Sequence, residues 1–296
     1  MEGKRILLFL MIIFAVLTVA FYSLYYIENK SVSSLDEHFV KEAVENLKKH
    51  GIEIDEKIIE RQIPEGNIYV FNPEDDGEYR EKVMQAFSSW LGENITMTKL
   101  DTPTGLSVTY HTTDGDDVGK LVFDVNSGLD FSYSVRGNSI SPNTAAIYNN
   151  ERAVEEEKKQ TIDTLINNLT VGKNISHTLT GSIESEQYHI VSTVQTLNGK
   201  EISGVFINFV FEEDVLVNVI GKWIPYEPTL RYHEKMADGI NVIYKMNLEQ
   251  VSAVTDENLV YLLRKGENNT YFILPSWEIV IRDKNGNTKK NYFEAL

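Results

Sequence analysis

The histidines are the side chains of this chain best suited to acid–base or metal chemistry near neutral pH. Two histidines four positions apart on a helix form a common metal-binding pair, and no two of the six histidines have that spacing. The six are His38, His50, His111, His177, His189 and His233. The spacing therefore predicts no metal site, and we expect no cofactor.

Residues 114–119, DGDDVG, resemble a calcium-binding loop because three aspartates fall close together between two predicted strands. An EF-hand loop needs an oxygen ligand where Val118 stands and a glutamate where Val125 stands. The segment fails at both positions. The sequence therefore predicts a solvated hairpin turn here rather than a calcium site.

Motifs for nucleophilic catalysis and phosphate binding are also missing. The sequence contains no G-x-S-x-G elbow, no S-x-x-K at a predicted helix start and no G-x-x-x-x-G-K-[ST] loop. The chain has no cysteine, which excludes thiol catalysis and cysteine–metal sites. These absences favour a non-enzymatic binding or regulatory protein, and an exported enzyme is the weakest of the interpretations that we retain.

The charge balance excludes one class of partner. The formal net charge of the 296 residues is −16. Nucleic acid is bound through patches of lysine and arginine that neutralise phosphates, so we expect no nucleic-acid partner.

The N-terminal sequence predicts a membrane anchor. Residues 6–27 contain no charged side chain, and a transmembrane helix needs about 20 such apolar residues. Lys4 and Arg5 precede this run, so the positive-inside bias predicts a cytoplasmic tail at 1–5 and an extracytoplasmic C-terminal portion. The predicted location is the cell membrane, with a single pass. A cleaved signal peptide is the alternative, although residues 18–20, TVA, make a poor cleavage site.

The predicted span also contains candidate partner contacts. Helices associate in lipid where small side chains allow close approach. The small residues of the run are Ala15, Thr18, Ala20 and Ser23. They lack the G-x-x-x-G spacing, and we retain them as candidate contacts with another membrane helix.

The remaining sequence predicts helices packed on antiparallel sheets, an α+β fold. Helices are predicted at about 35–50, 79–91, 151–169 and 233–247. Strands are predicted at 67–71, 106–111, 120–125, 130–135, 187–195, 205–211, 215–220, 259–264, 271–274, 277–282 and 291–293. A helix followed by antiparallel strands occurs twice, which predicts two similar halves.

Domain boundaries follow from the polar, turn-rich segment near residue 145. We predict a first ectodomain domain at 28–148 and a second at 149–296. In the second, Trp277 lies at the same strand parity as Ile279 and Ile281, so these side chains are expected to face the core.

Several local phrases resemble the YycH/YycI family. They are 43–54 (AVENLKKHGIEI), 195–202 (QTLNGKEI), 221–225 (GKWIP), 274–279 (LPSWEI) and 291–295 (NYFEA). The resemblance covers most of the chain, and the length fits the YycI branch because YycH proteins are much longer. The closing phrases are also similar to peptidase-propeptide-like (PepSY) modules.

The resemblance implies a function that the residues alone do not. Members of this family are membrane-anchored regulators of the WalK (YycG) sensor histidine kinase of a two-component system that controls cell-wall homeostasis. The implied partners are that kinase and a sister YycH-type regulator. The alternative is an extracytoplasmic ligand- or wall-binding module with no kinase partner.

Overall fold

The computed structural model describes residues 34–61, 63, 65–73, 79–103, 105–124, 128–135, 146–148 and 154–295. Of these residues, 52% lie in strands and 22% in helices. The prediction of an α+β fold is therefore wrong, because the protein is mostly β-sheet. Within the described residues there are four α-helices, one for each helix predicted after residue 28, whereas the strands are longer and more numerous than their hydrophobic alternation indicated.

The helices and strands have the following bounds. The helices are α1 (Glu37–Lys49), α2 (Tyr79–Leu91), α3 (Glu156–Leu169) and α4 (Gly239–Lys245). The first strands are β1 (Glu53–Ile54), β2 (Glu65–Phe71), β3 (Thr96–Thr102), β4 (Gly105–His111), β5 (Asp117–Asp124), β6 (Asp130–Ser134) and β7 (Ile175–Glu184). The others are β8 (Tyr188–Leu197), β9 (Lys200–Glu212), β10 (Val215–Lys222), β11 (Thr229–Lys235), β12 (Val251–Lys265), β13 (Tyr271–Asp283) and β14 (Thr288–Glu294).

The chain forms two compact units, and each is assembled from segments that are distant in sequence. The smaller unit comprises the described residues up to Gly66 together with Lys235–Glu257 and Ile279–Asn291. The larger unit comprises Asn67–Glu234, Asn258–Glu278 and Tyr292–Leu296. The division into sequential domains at 28–148 and 149–296 stays a prediction.

In the smaller unit, α1 begins at an N-cap aspartate. The Asp36 carboxylate accepts hydrogen bonds from the backbone N–H groups of His38 and Phe39 at 2.7 and 3.3 Å, which satisfies two of the unpaired amides of the first turn. Gly51, at φ +80°, follows the end of the helix. Its positive φ allows the chain to reverse into β1, which runs parallel to β12.

The larger unit is organised around one sheet. Among the described residues the strands follow the order β11–β2–β13–β12–β9–β10–β6–β5–β4–β3, with β8 beside β9 and β7 beside β8. Two antiparallel series, β3 to β6 and β7 to β10, join where β6 pairs with β10, with Ser134 opposite Asn218. The pairing of β9 with β12 is parallel.

Helices α2 and α3 supply the apolar side chains that cover the core of the larger unit. The Phe87 ring of α2 stacks on the Tyr133 ring of β6, with centroids 4.8 Å apart. The hydroxyl of the buried Tyr110 donates to the carbonyl of Met84 at 3.0 Å. Trp277 is fully buried, which confirms its predicted place in the core.

The prediction of a single-pass membrane protein requires correction. None of the helices in the described ranges is long and apolar enough to cross a membrane. The longest, α3, has 14 residues, whereas a span needs about 20. The segment assigned to the span, 6–27, lies outside the described residues.

One predicted helix is mostly absent. The segment at 233–247 was predicted to be helical, but its first residues belong to β11 and only Gly239–Lys245 forms a helix. Four strands, β1, β3, β7 and β11, were not predicted at all. β3 and β11 have almost only exposed side chains, so neither shows the alternation of apolar and polar residues from which strands are recognised.

Candidate protein-interaction surface

Strand β11 forms one edge of the sheet of the larger unit. It pairs with β2, and in the described part of the chain no strand pairs with its other side. All seven of its residues are exposed. An edge strand presents unpaired N–H and C=O groups, to which an extended segment of another protein can add.

Alternate side chains of β11 hold the strand in place. The guanidinium carbon of Arg231 lies 5.6 Å from the centroid of the Phe272 ring, a distance suited to a cation–π contact. Two positions later, His233 Nδ1 hydrogen-bonds Asn67 Oδ1 at 2.5 Å. These two contacts hold β11 against the rest of the larger unit.

The contact made by His233 continues into a polar network. Asn67 Nδ2 and Asn198 Nδ2 both donate to the hydroxyl of Tyr69, at 3.4 and 2.8 Å. The Tyr69 ring lies edge-on to Tyr261, with centroids 5.7 Å apart. Burial, and next the neighbouring Tyr69, raise the pKa of Tyr261 well above its usual range. The phenol of Tyr261 therefore stays neutral and keeps its hydroxyl hydrogen for hydrogen bonding.

Two other residues of β11 have large exposed side chains. Leu230 and Tyr232 are each 44% exposed. Tyrosine is enriched among the residues that dominate binding energies at protein interfaces, because it combines a large apolar ring with a hydroxyl. The fixed strand therefore presents an aliphatic and an aromatic anchor side by side with its backbone.

A cleft lies where the chain enters β11. It has a volume of about 480 Å³ and is lined by Val70, Phe71, Asn72 and the segment 226–231. The preceding chain is pinned, since the N–H of Val171 donates to the carbonyl of Pro225 at 2.6 Å and the N–H of Glu227 donates to the carbonyl of Val171 at 3.2 Å. The cleft is thus preformed beside the edge strand.

The smaller unit has a wider cleft, which selects no ligand class. It has a volume of about 980 Å³ and runs between α1, β1 and part of β12. Lys41, Lys48 and Arg282 line it together with acidic residues that include Glu53 and Asp55. With charges of both signs on its walls, it favours neither an anion nor a cation.

The residues considered for chemistry in the sequence have structural roles here. His177 Nε2 lies 2.8 Å from Asp163 Oδ1 and His111 Nδ1 lies 2.7 Å from Asp117 Oδ1. Among the described residues no group of three or more histidines and carboxylates is arranged to hold a metal ion. The calcium-like segment is the turn between β4 and β5, where the N–H of Gly115 donates to the carbonyl of Thr112.

The sequence-predicted contact residues and the surface described here do not overlap. Ala15, Thr18, Ala20 and Ser23 all lie outside the described residues. The edge strand was missed because 229–235, TLRYHEK, was partly assigned to a helix. Pro228 immediately before it was the available signal, because proline is tolerated at the start of an edge strand.

Comparison with known proteins leaves the function open. No protein-family profile and no curated protein matches the chain. Among solved structures, an uncharacterized protein from Eubacterium rectale matches 79% of this chain and 84% of its own at 11% identity, with a TM-score of 0.44. At this level the likeness says nothing about function.

Proposed function

We propose that this protein is a non-enzymatic regulator that binds a sensor histidine kinase of the WalK (YycG) type and changes its activity. The choice of partner rests on the resemblance to the YycH/YycI family, and a sister YycH-type regulator is the second partner that it implies. The observation that carries a binding role is the exposed edge strand β11 with Leu230 and Tyr232 beside a preformed cleft.

The mode of binding that this surface supports is the addition of an extended segment of the partner to β11. Backbone hydrogen bonds would contribute affinity, while Leu230 and Tyr232 would select apolar side chains of the segment. Such binding changes kinase activity when the surface contacts one conformational state of the kinase better than another. No reactive side chain is required for that effect.

The test is binding to the purified full-length WalK-type kinase of the same organism. We expect the double variant Leu230→Asp, Tyr232→Asp to bind at least about tenfold more weakly, because loss of an interface anchor typically costs over 1 kcal/mol. The matched control is Val215→Asp, since Val215 is also an exposed apolar residue, 64% accessible, at the turn between β9 and β10.

Two outcomes would contradict the proposal. One is that the native chain neither binds the kinase nor changes its autophosphorylation rate. The other is that the double variant binds as tightly as the native chain and the Val215 control, which would separate kinase binding from β11.

A further inference from the structure

A second open edge of the sheet lies at β3. Within the described ranges β3 pairs only with β4, and all of its residues are exposed except the half-buried Thr102. Natural proteins protect such edges with prolines, bulges, short strands or outward lysines. The seven residues of β3 contain no proline and pair with β4 without a register shift.

The lysine of β3 lies on one face of the sheet, where it has a carboxylate neighbour in its own chain. Lys99 Nζ lies 2.5 Å from Glu81 Oε1 on α2. Lys99 is opposite Val108 of β4, a core residue, so its side chain leaves the strand on the face that α2 covers. The ammonium group therefore lies against the helix of its own chain.

The pairing with β4 determines which backbone groups are available. Thr102 pairs with Gly105 and only two residues separate them, so we infer that they form the hydrogen-bonded pair that closes the hairpin. Every second residue of β3 is then hydrogen-bonded to β4, beginning with Thr102 and Leu100. The outward N–H and C=O groups belong to Met97, Lys99 and Asp101.

The opposite face of β3 is apolar at its centre. Leu100 is 63% exposed and pairs with Ser107, which in turn pairs with Val122 of β5. Val122 is also exposed. An exposed leucine therefore lies on the edge strand itself, next to backbone groups that β4 does not pair.

We propose that β3 pairs antiparallel with β3 of a second copy of this chain, with Leu100 on the two-fold axis. Residues that lie directly opposite each other must point to the same face of the sheet. A two-fold axis perpendicular to the sheet meets this condition only when it passes through a residue, and not when it passes between two residues. With Leu100 there, the two Leu100 side chains meet, and Lys99 of each copy lies opposite Asp101 of the other. Thr98 lies opposite Thr102.

Neighbouring registers are worse because of charge. With Lys99 on the axis two lysines face each other, and with Asp101 on the axis two aspartates do. Like charges directly opposite each other destabilise a sheet, and opposite charges stabilise it. With Thr98 on the axis, Lys99 faces Met97 and gains no ion pair. The sequence of β3 is thus self-complementary in one register, which favours a second copy over an unrelated segment.

The outward backbone groups agree with that register. Lys99 and Asp101 both direct their N–H and C=O groups away from β4, so they form the hydrogen-bonded pairs of the new ladder. Leu100 then forms a non-hydrogen-bonded pair with its copy, in which the Cα atoms approach to about 4.5 Å. That spacing lies in the range that a disulfide accepts, about 4.4–6.8 Å.

Cysteine crosslinking of the full chain tests the register directly, because the native chain contains no cysteine. We expect Leu100→Cys to form a disulfide-linked dimer under mild oxidation. The matched control Val122→Cys lies on the same face, but in the paired sheets the two copies of residue 122 are five strand spacings apart, roughly 24 Å. It should not crosslink. Equal crosslinking of both variants, or none by Leu100→Cys, would overturn the proposal.

Charge exchange tests the ion pairs without a crosslink. Sedimentation should show that Lys99→Asp and Asp101→Lys each weaken self-association at least about tenfold, because each places like charges opposite each other twice. A mixture of the two variants should form a heterodimer, since every Lys–Asp pair is then restored. The double variant Lys99→Asp, Asp101→Lys should recover self-association.

Several results would refute self-pairing. They are a native chain that sediments as a monomer at every concentration, single variants that associate as the native chain does, and a mixture that fails to recover association. The last would show that β3 serves another occupant. Because β11 and β3 are at opposite ends of the strand order, the kinase-binding test and these tests fail independently.

Discussion

Glu257 is a carboxylic acid in an unfavourable place for a negative charge. It is 5% exposed and lies against Gly239, where a Cβ atom would stand 1.8 Å from its Oε1. Burial, followed by the nearby carboxylates of Glu60, Asp238 and Asp256, raises the pKa of Glu257 to about 8. The folded protein therefore holds this side chain in its neutral form at neutral pH.

This residue predicts that the protein loses stability as the pH rises. The folded pKa of about 8 is above the ordinary value of 4.5, so the stabilising contribution is complete below pH 4.5 and is lost on the way to pH 8. The loss approaches about 1.4 kcal/mol per pH unit within that window. Glu257→Gln should remove it, because the amide stays neutral.

Urea unfolding of the full chain at a series of pH values measures this effect. The native chain should lose free energy of unfolding between about pH 5 and pH 8 relative to Glu257→Gln. Glu249→Gln is the control, since Glu249 is exposed in the same unit, and it should follow the native pH profile. Parallel profiles for native chain and Glu257→Gln would show that Glu257 does not control the pH dependence.

At the scale of single elements, α1 depends on its N-cap. We expect Asp36→Ala to lower the free energy of unfolding by about 1 kcal/mol, because the N–H groups of His38 and Phe39 lose their acceptor. Asp36→Asn keeps a side-chain oxygen and should stay close to native. Thermal unfolding measures both, and an alanine variant as stable as the asparagine variant would refute the capping role.

The same element shows what the sequence could predict. Buried Val40, Ala43, Val44 and Leu47 lie on one face of α1, and the helix was predicted at 35–50 from that periodicity. The helix begins at Glu37, after the N-cap residue Asp36. The apolar periodicity locates the helix, but it does not determine which residue starts it. The predicted start at residue 35 is therefore two positions too early.

Edge strands were beyond the same reasoning for a physical reason. β3 and β11 bury almost none of their side chains, and alternation exists only where one face is buried. Their strand conformation comes from backbone hydrogen bonds to β4 and β2, which no local pattern records. The candidate interaction surfaces are therefore the part of the fold that sequence reasoning missed.

At the scale of the whole molecule, the strand ladder crosses the predicted boundary at 148/149. Ser134 of β6 pairs with Asn218 of β10, and Phe71 of β2 pairs with Tyr271 of β13. We expect neither 28–148 nor 149–296 to fold alone, because each leaves strand edges of the larger unit unpaired. Circular dichroism and limited proteolysis should find both fragments unfolded, with protection recovered on co-expression. A protease-resistant 149–296 would instead support the sequential domains.

The pairing of β2 with β13 also sets how the chain must be made. Tyr271 comes two hundred positions after its partner Phe71. A ribosome that adds about 5–20 residues per second needs roughly 10–40 s to supply it. During that interval the apolar residues of the newly made β2 have no partner strand β13 to cover them. Contacts between residues this far apart in sequence also form slowly. Yield in the cell should therefore depend on chaperones that cover the apolar residues of the emerging N-terminal half until the last strands are made.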